Sequence, residues 1–202
     1  MRLIVAFAFL ASIAFACTES KTKNEKLKDL QLAALATSEN YDTILVDFRL
    51  GMSETAFNQH KEDKLNSLEL SNYEARTTHN LYLDDVVLHL DLEDQLFFEN
   101  KLFKLELLVT TENKNYKNST IILSTIMDPL IEAYGRPTIS LTNEITGYQE
   151  VYWIDGNRQV ALKESLSNSC RLTYTDLILA NQVEELEAKS KNEKKKRAAK
   201  AL

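Results

Sequence analysis

Apolar and polar residues alternate with two different periods along the chain, and the changes of period divide it into segments. Leu3 to Phe15 is an apolar run of 13 residues broken only by Ser12. That is too short to span a bilayer, which takes about 20 residues. Further on, Leu27, Leu30, Leu32, Ala34 and Leu35 predict a short amphipathic helix near residues 25–37. Tyr41 to Leu50 is rich in β-branched and aromatic residues and predicts a strand, ended by Gly51-Met52-Ser53. Ser53 is a good N-cap for a helix from Glu54 to about Leu65, and Glu54 complements the helix dipole in the first turn. Residues 66–81 are mixed and predict mainly loop.

Strand-like alternation then dominates. Between Asp85 and Leu92, Val86, Leu88, Leu90 and Leu92 share one face, while Val87, His89, Asp91 and Glu93 share the other. Leu96-Phe97-Phe98 and Leu102 to Val109 flank Glu99-Asn100-Lys101, a predicted tight hairpin. Residues 111–118 predict a polar loop. Thr120 to Tyr134 predicts a second helix stopped by Gly135 and Pro137, with Pro129 either kinking it or marking a fresh start after Asp128. Glu150 to Ile154 and Arg158 to Lys163 flank the turn Asp155-Gly156-Asn157. Cys170 to Leu179 predicts a further strand, and Gln182 to Leu202 a charged helix with a basic end.

Helix followed by strands thus occurs twice, over about residues 41–110 and 120–180. The expected class is α+β: two helix-plus-antiparallel-meander units after a signal peptide, with a charged C-terminal helix. The expected organisation is a signal peptide at 1–16, a tether and short helix at 17–40, an α+β domain at 41–180 and a charged helical tail at 181–202.

Composition narrows the function classes. A length of 202 residues with 44% hydrophobic residues fits one ordinary domain, and 4 Gly and 2 Pro exclude a low-complexity chain. The net charge of -6 argues against a nucleic-acid partner, which needs a concentrated basic surface. Lys189, Lys191, Lys194, Lys195, Lys196, Arg197 and Lys200 form the one basic run, suited either to anionic headgroups or to plain solvation. Of the 2 cysteines, Cys17 and Cys170, neither has an intramolecular disulfide partner if Cys17 carries lipid.

The N-terminus reads as an export signal. Met1-Arg2 supplies the positive start, the apolar run follows, and Ala14-Phe15-Ala16 places small residues at both recognition positions of a cleavage site. Cys17 and the polar Thr18-Glu19-Ser20-Lys21 come next. The layout resembles a bacterial lipoprotein signal, although Ala14 stands where a larger aliphatic residue is usual. The resemblance implies acylation of Cys17 and a domain tethered to a cell-envelope membrane. Ordinary cleavage after Ala16, giving a soluble periplasmic or secreted protein, fits the same residues.

A second resemblance rests on Phe48-Arg49-Leu50-Gly51-Met52-Ser53, on Ala133-Tyr134-Gly135-Arg136-Pro137 and on Tyr152-Trp153. Together they look like small envelope lipoproteins of Gram-negative bacteria. Many of these adopt a fold shared by the small lipoprotein of the barrel-assembly machinery and the β-lactamase inhibitor proteins. The chain is longer than the barrel-assembly lipoprotein. The resemblance implies a helix-plus-meander module that binds an envelope protein and has no catalytic centre or cofactor; it assigns no binding residues.

Candidate chemistry is sparse. His89, Asp91 and Glu93 project from one strand face and would suit Zn²⁺ or a similar cation in a metal-assisted hydrolase, or else form a solvated face. His60 and His79 have no evident partner. Cys170 is either a nucleophile beside a base or a small core residue. Tyr148, Tyr152 and Trp153 would form either an aromatic patch for a partner or part of the core. Phe97, Phe103 and Trp153 would line the pocket of a ligand-binding module. There is no Gly-rich phosphate loop, no Gly-x-Ser-x-Gly, no His-Glu-x-x-His and no Cys-x-x-Cys.

Overall fold

A computed structural model describes residues 22–73, 76–83, 85–113, 118–165 and 168–200. The signal segment, Cys17 and residues 18–21 lie outside them. The described residues form four helices and one eight-stranded antiparallel sheet. In chain order these are α1 (Lys23–Leu35), α2 (Glu54–Asn66), β1 (Leu70–Tyr73), β2 (Arg76–Leu83), β3 (Val86–Phe98), β4 (Lys101–Thr110), α3 (Ser119–Tyr134), β5 (Ile139–Thr142), β6 (Gln149–Asp155), β7 (Arg158–Ser165), β8 (Ser169–Asp176) and α4 (Leu177–Lys200).

The strand order is β1-β2-β3-β4-β8-β7-β6-β5. Each half is a helix followed by a four-stranded meander, and the last strands of the two meanders join along β4 and β8. The order therefore reads the same from either edge to the middle.

Helix starts follow local chemistry. Thr22 and Glu25 form a reciprocal capping box at α1, Ser53 Oγ accepts from the Ala56 amide at α2, and Asn118 Oδ1 accepts from the Thr120 amide at α3. α3 runs through Pro129 without a fresh start. An interior proline costs about 3 kcal/mol. Burial of Ile122, Leu123, Ile126 and Leu130 on its inner face, at roughly 1.5–3 kcal/mol each, outweighs that.

One face of the sheet, called the first face here, packs under α2 and α3. Val86, Leu88, Leu90, Leu105, Leu107, Val109, Leu172, Tyr174, Val151, Trp153 and Val160 meet Phe57 and the inner face of α3 in a single apolar core. Phe57 stacks on Phe48 with ring centroids 4.5 Å apart and meets Phe97 edge-on at 5.8 Å.

Four expectations are corrected. Tyr41 to Leu50 is not a strand. Ile44, Val46, Phe48 and Leu50 are buried in alternation. However, Asp47 takes φ 64°, and the segment closes on itself through Ile44 N to Phe48 O (3.1 Å) and Leu50 N to Asp42 O (2.8 Å). Local bonds satisfy the amides that a ladder would have used. Lys64, itself buried, pins this loop by reaching Asp47 at 3.3 Å and Glu69 at 2.6 Å. Arg158 Nη1 holds it from the other side by donating to Thr43 O.

Residues 66–81 are not mainly loop, because β1 and most of β2 lie there. β1 is an edge strand, and the outer face of β2 is polar, so neither carries a clean apolar alternation. Ile139–Thr142 adds a strand the pattern did not suggest. The strand from Cys170 ends at Asp176 rather than Leu179. There Asp176 Oδ1 accepts from the Ile178 and Leu179 amides and starts α4 five residues before the expected Gln182.

The hairpin at Glu99-Asn100 forms, with both residues at positive φ (49° and 61°) as a type I′ turn requires, and with Lys101 already in β4. At the other hairpin Gly156 takes φ +53°, and a Cβ there would lie 2.2 Å from the Glu39 carbonyl oxygen.

Candidate functional site

Register decides what the second face of the sheet presents, since directly paired residues point to the same side. Thr78 pairs with Asp91, Asn80 with His89, and Tyr82 with Val87. Asp91 pairs with Leu108 and Asp94 with Glu106. Across the central seam Glu106 pairs with Thr173 and Leu108 with Arg171. Further along, Ala161 pairs with both Thr173 and Tyr152.

This second face has two halves. Over β5 to β7, α1 lays Leu27, Leu30, Ala34 and Leu35 on Tyr152, Ile154, Ala161 and Leu177. Gln31 Nε2 donates to Gln159 Oε1 at 2.7 Å along the margin. From β8 out to β2, no described helix beyond the start of α4 lies over the face. Tyr82 and Leu96 stand on this open half at 73% and 43% exposure.

The open half is laced by cross-strand polar contacts. Asp91 is nearly buried and accepts from Thr78 Oγ1 at 2.6 Å and Arg76 Nη1 at 3.3 Å. His89 Nδ1 meets Asn80 Oδ1 at 2.8 Å. Arg171 donates to Glu106 at 2.8 Å and lies 4.0 Å from Glu93, while Lys104 lies 3.4 Å from Glu106. Arg76 and Arg171 are more than half exposed, and such pairs contribute only about 0–1 kcal/mol to stability. Their effect is to fix an ordered, mixed-charge surface. At its border with the covered half, Glu150 accepts from Tyr152 Oη at 2.5 Å and pairs with Lys23 at 3.0 Å. Burial works to raise the Glu150 pKa, but the Tyr152 hydrogen bond and the two lysines Lys23 and Lys163 hold it below the usual glutamate range.

The sequence candidates fall as follows. His89, Asp91 and Glu93 do share the second face, but each is engaged by a different partner: Asn80, Thr78 with Arg76, and Arg171. Among the described residues no group of three or more His, Cys, Asp and Glu side chains is placed to hold a metal ion. Cys170 is a buried free thiol whose Sγ donates to the Ser119 carbonyl at 3.2 Å. Burial, helped by the nearby Glu164 charge, pushes its pKa up to about 12, which leaves almost no thiolate at neutral pH.

Trp153 and Tyr152 are buried on opposite faces of β6, so no aromatic patch forms with the half-buried Tyr148. Trp153 Nε1 donates to Gly135 O at 2.8 Å. Phe97 and Trp153 belong to the core under α2 and α3 rather than to a ligand pocket, and Phe103 is half-buried on β4. His60 packs edge-on to Phe48 at 5.2 Å, and His79 Nδ1 meets Glu69 O at 3.2 Å. In the basic run, Lys189, Lys191, Lys194 and Lys195 are exposed on α4, where Lys191 pairs with Glu187 at 3.6 Å.

Thr78 and Asn80 lie where the sequence pattern predicts loop, and Tyr82 lies just beyond it, ahead of the predicted strand from Asp85, so the pattern marks none of them. It also misses Arg171 and Glu106, whose meeting depends on the seam between the two meanders. No helix among the described residues is long and apolar enough to cross a membrane. Comparison with protein-family models, with curated proteins and with solved structures gave no match.

Proposed function

We propose that this chain is a cell-envelope protein, anchored through acyl groups on Cys17, that acts as a non-catalytic protein-binding module. Its binding surface is the open half of the second sheet face. The observation that carries this reading is the missing cover. α1 shields only β5 to β7, and the uncovered strands carry Tyr82 and Leu96 on the same face as paired charges whose arginines are more than half exposed.

An exposed aromatic ring on the same sheet face as ordered charges suits a protein partner. The ring supplies contact area, and the charges supply register and specificity more than affinity. The export signal and Cys17 support attachment to the envelope. The buried, high-pKa thiol of Cys170 and the dispersed engagement of His89, Asp91 and Glu93 agree with a role outside catalysis.

Two measurements test the reading. Intact mass spectrometry of the mature chain, with Cys17→Ser as control, is expected to find a diacylglyceryl group on Cys17; an unmodified Cys17 at a free N-terminus rejects the anchor. Cross-linking and capture from native membranes is expected to return a partner with the wild type and lose it with Tyr82→Asp plus Arg171→Glu. Equal capture by a folded double variant rejects the open face as the binding surface.

A further inference from the structure

We propose that the β5–β6 loop and the first turn of α1 rest on the lipid surface that holds Cys17, with Ile145 entering the boundary between headgroups and acyl chains. The proposal rests on the acylated-Cys17 reading above and adds the orientation of the domain on its membrane.

Reach comes first. Five peptide steps separate Cys17 from Thr22. At 3.3–3.6 Å per residue they span at most about 18 Å. The sheet is wider than this: eight strands at about 4.8 Å spacing extend roughly 34 Å from edge to edge. The end of the domain that carries Thr22 therefore stays near the lipid, and the opposite edge can stand clear of it.

Thr22 belongs to a fixed part of the body. The capping box closes the first turn of α1, Lys23 pairs with Glu150 on β6 at 3.0 Å, and the apolar side of α1 packs on the sheet. Beside that turn lies the β5–β6 loop. The two share an open cleft of about 620 Å³, whose walls include Thr22, Lys23, Lys26, Leu141 and Ile145.

The loop is locally braced. Asn143 Oδ1 accepts from the Ile145 and Thr146 amides at 3.0 and 3.1 Å, and the Asn143 amide donates to Tyr148 O at 2.8 Å. These bonds hold Ile145 at the tip with 96% of its surface exposed. A single exposed apolar residue is ordinary on a protein surface. This one is distinguished by its address, on the end of the domain that the anchor keeps close to lipid.

Charge indicates the kind of contact. The exposed Lys26 and the paired Lys23 are offset by Glu25 and Glu144 on the same end. The contact is therefore apolar rather than electrostatic, and salt should not release it.

The test uses the full acylated chain, reconstituted into vesicles containing phosphatidylcholine brominated on its acyl chains. Tryptophan is introduced separately by Ile145→Trp and by Leu68→Trp. Leu68 is 88% exposed in the turn before β1, which forms the opposite sheet edge. The native Trp153 is 1% exposed and gives the background, read from the wild type. Intact mass is measured first for every variant; a chain without lipid on Cys17 overturns the anchor reading before any fluorescence is recorded.

In acylated protein, a probe at 145 sitting 5–10 Å into the interface is expected to lose about half of its emission, unchanged by high salt. The probe at 68 is expected to keep its emission. No quenching at 145, equal quenching at both positions, or quenching that salt abolishes would each overturn the proposal.

Discussion

The two halves of the second sheet face obey the same alternation and end in opposite chemistry. Over β5 to β7 the outward positions are Ile139, Leu141, Tyr152, Ile154 and Ala161, and α1 covers them. Over β2, β3, β4 and β8 the equivalent positions include Thr78, Asn80, His89, Asp91, Glu106 and Arg171, polar residues that pair with one another across the strands with no described helix laid over them. An antiparallel sheet tolerates one solvated face, so the open half needs no cover for stability. The comparison teaches that α1 defines the site by where it stops.

The contrast can be broken at several points, in descending order of expected effect. Tyr152→Ala, beneath α1, removes a buried ring and leaves Glu150 without its hydroxyl donor. The expected cost is about 3–5 kcal/mol, read as a fall in the denaturation midpoint. Asp91→Ala on the open half removes a nearly buried acceptor and strands the Thr78 hydroxyl. It should cost about 1–3 kcal/mol in the same measurement, and a loss as large as that of Tyr152→Ala would erase the distinction between the halves.

Glu150→Gln tests the border through pH. Its folded pKa is lowered, so the ionised carboxylate contributes stability above the ordinary glutamate range. That contribution is lost as pH falls through the lowered folded value. The variant should be less stable than the wild type by about 1 kcal/mol near neutrality, and the two stability curves should converge on acidification. Parallel curves would remove Glu150 from the account. The smallest stability effect belongs to Tyr82→Ala, at 73% exposure on the open half. It should lie within about 0.5 kcal/mol of the wild type, while partner binding weakens about tenfold or more if the ring is a contact hot spot.

Much of the fold was legible where one signal dominated. Ser53, Gly135 and the Glu99-Asn100 turn are local devices, and each sits where the chain pattern put it. The alternation from Val86 to Leu90 predicted a half-buried strand correctly. Tyr41 to Leu50 misleads because its β-branched and aromatic content predicts a strand, whereas the same residues bury equally well in a self-closed loop over Phe57. β1 and β2 were hidden because edge position and an uncovered face remove the apolar signal. The site was legible only in part. His89, Asp91 and Glu93 were seen to share a face, but the partners that separate them come from β2 and β8.

By itself, the sequence determined the local features: the helix caps, the turn residues and the α+β character. These depend on neighbours a few residues apart. The tertiary structure alone decided that two meanders join along β4 and β8, that Arg171 meets Glu106, and that α1 covers one half of a face and leaves the other open. These depend on residues such as Arg171 and Glu106, 65 positions apart in the chain, and are settled only when strands choose partners and a helix chooses which apolar stripe to cover.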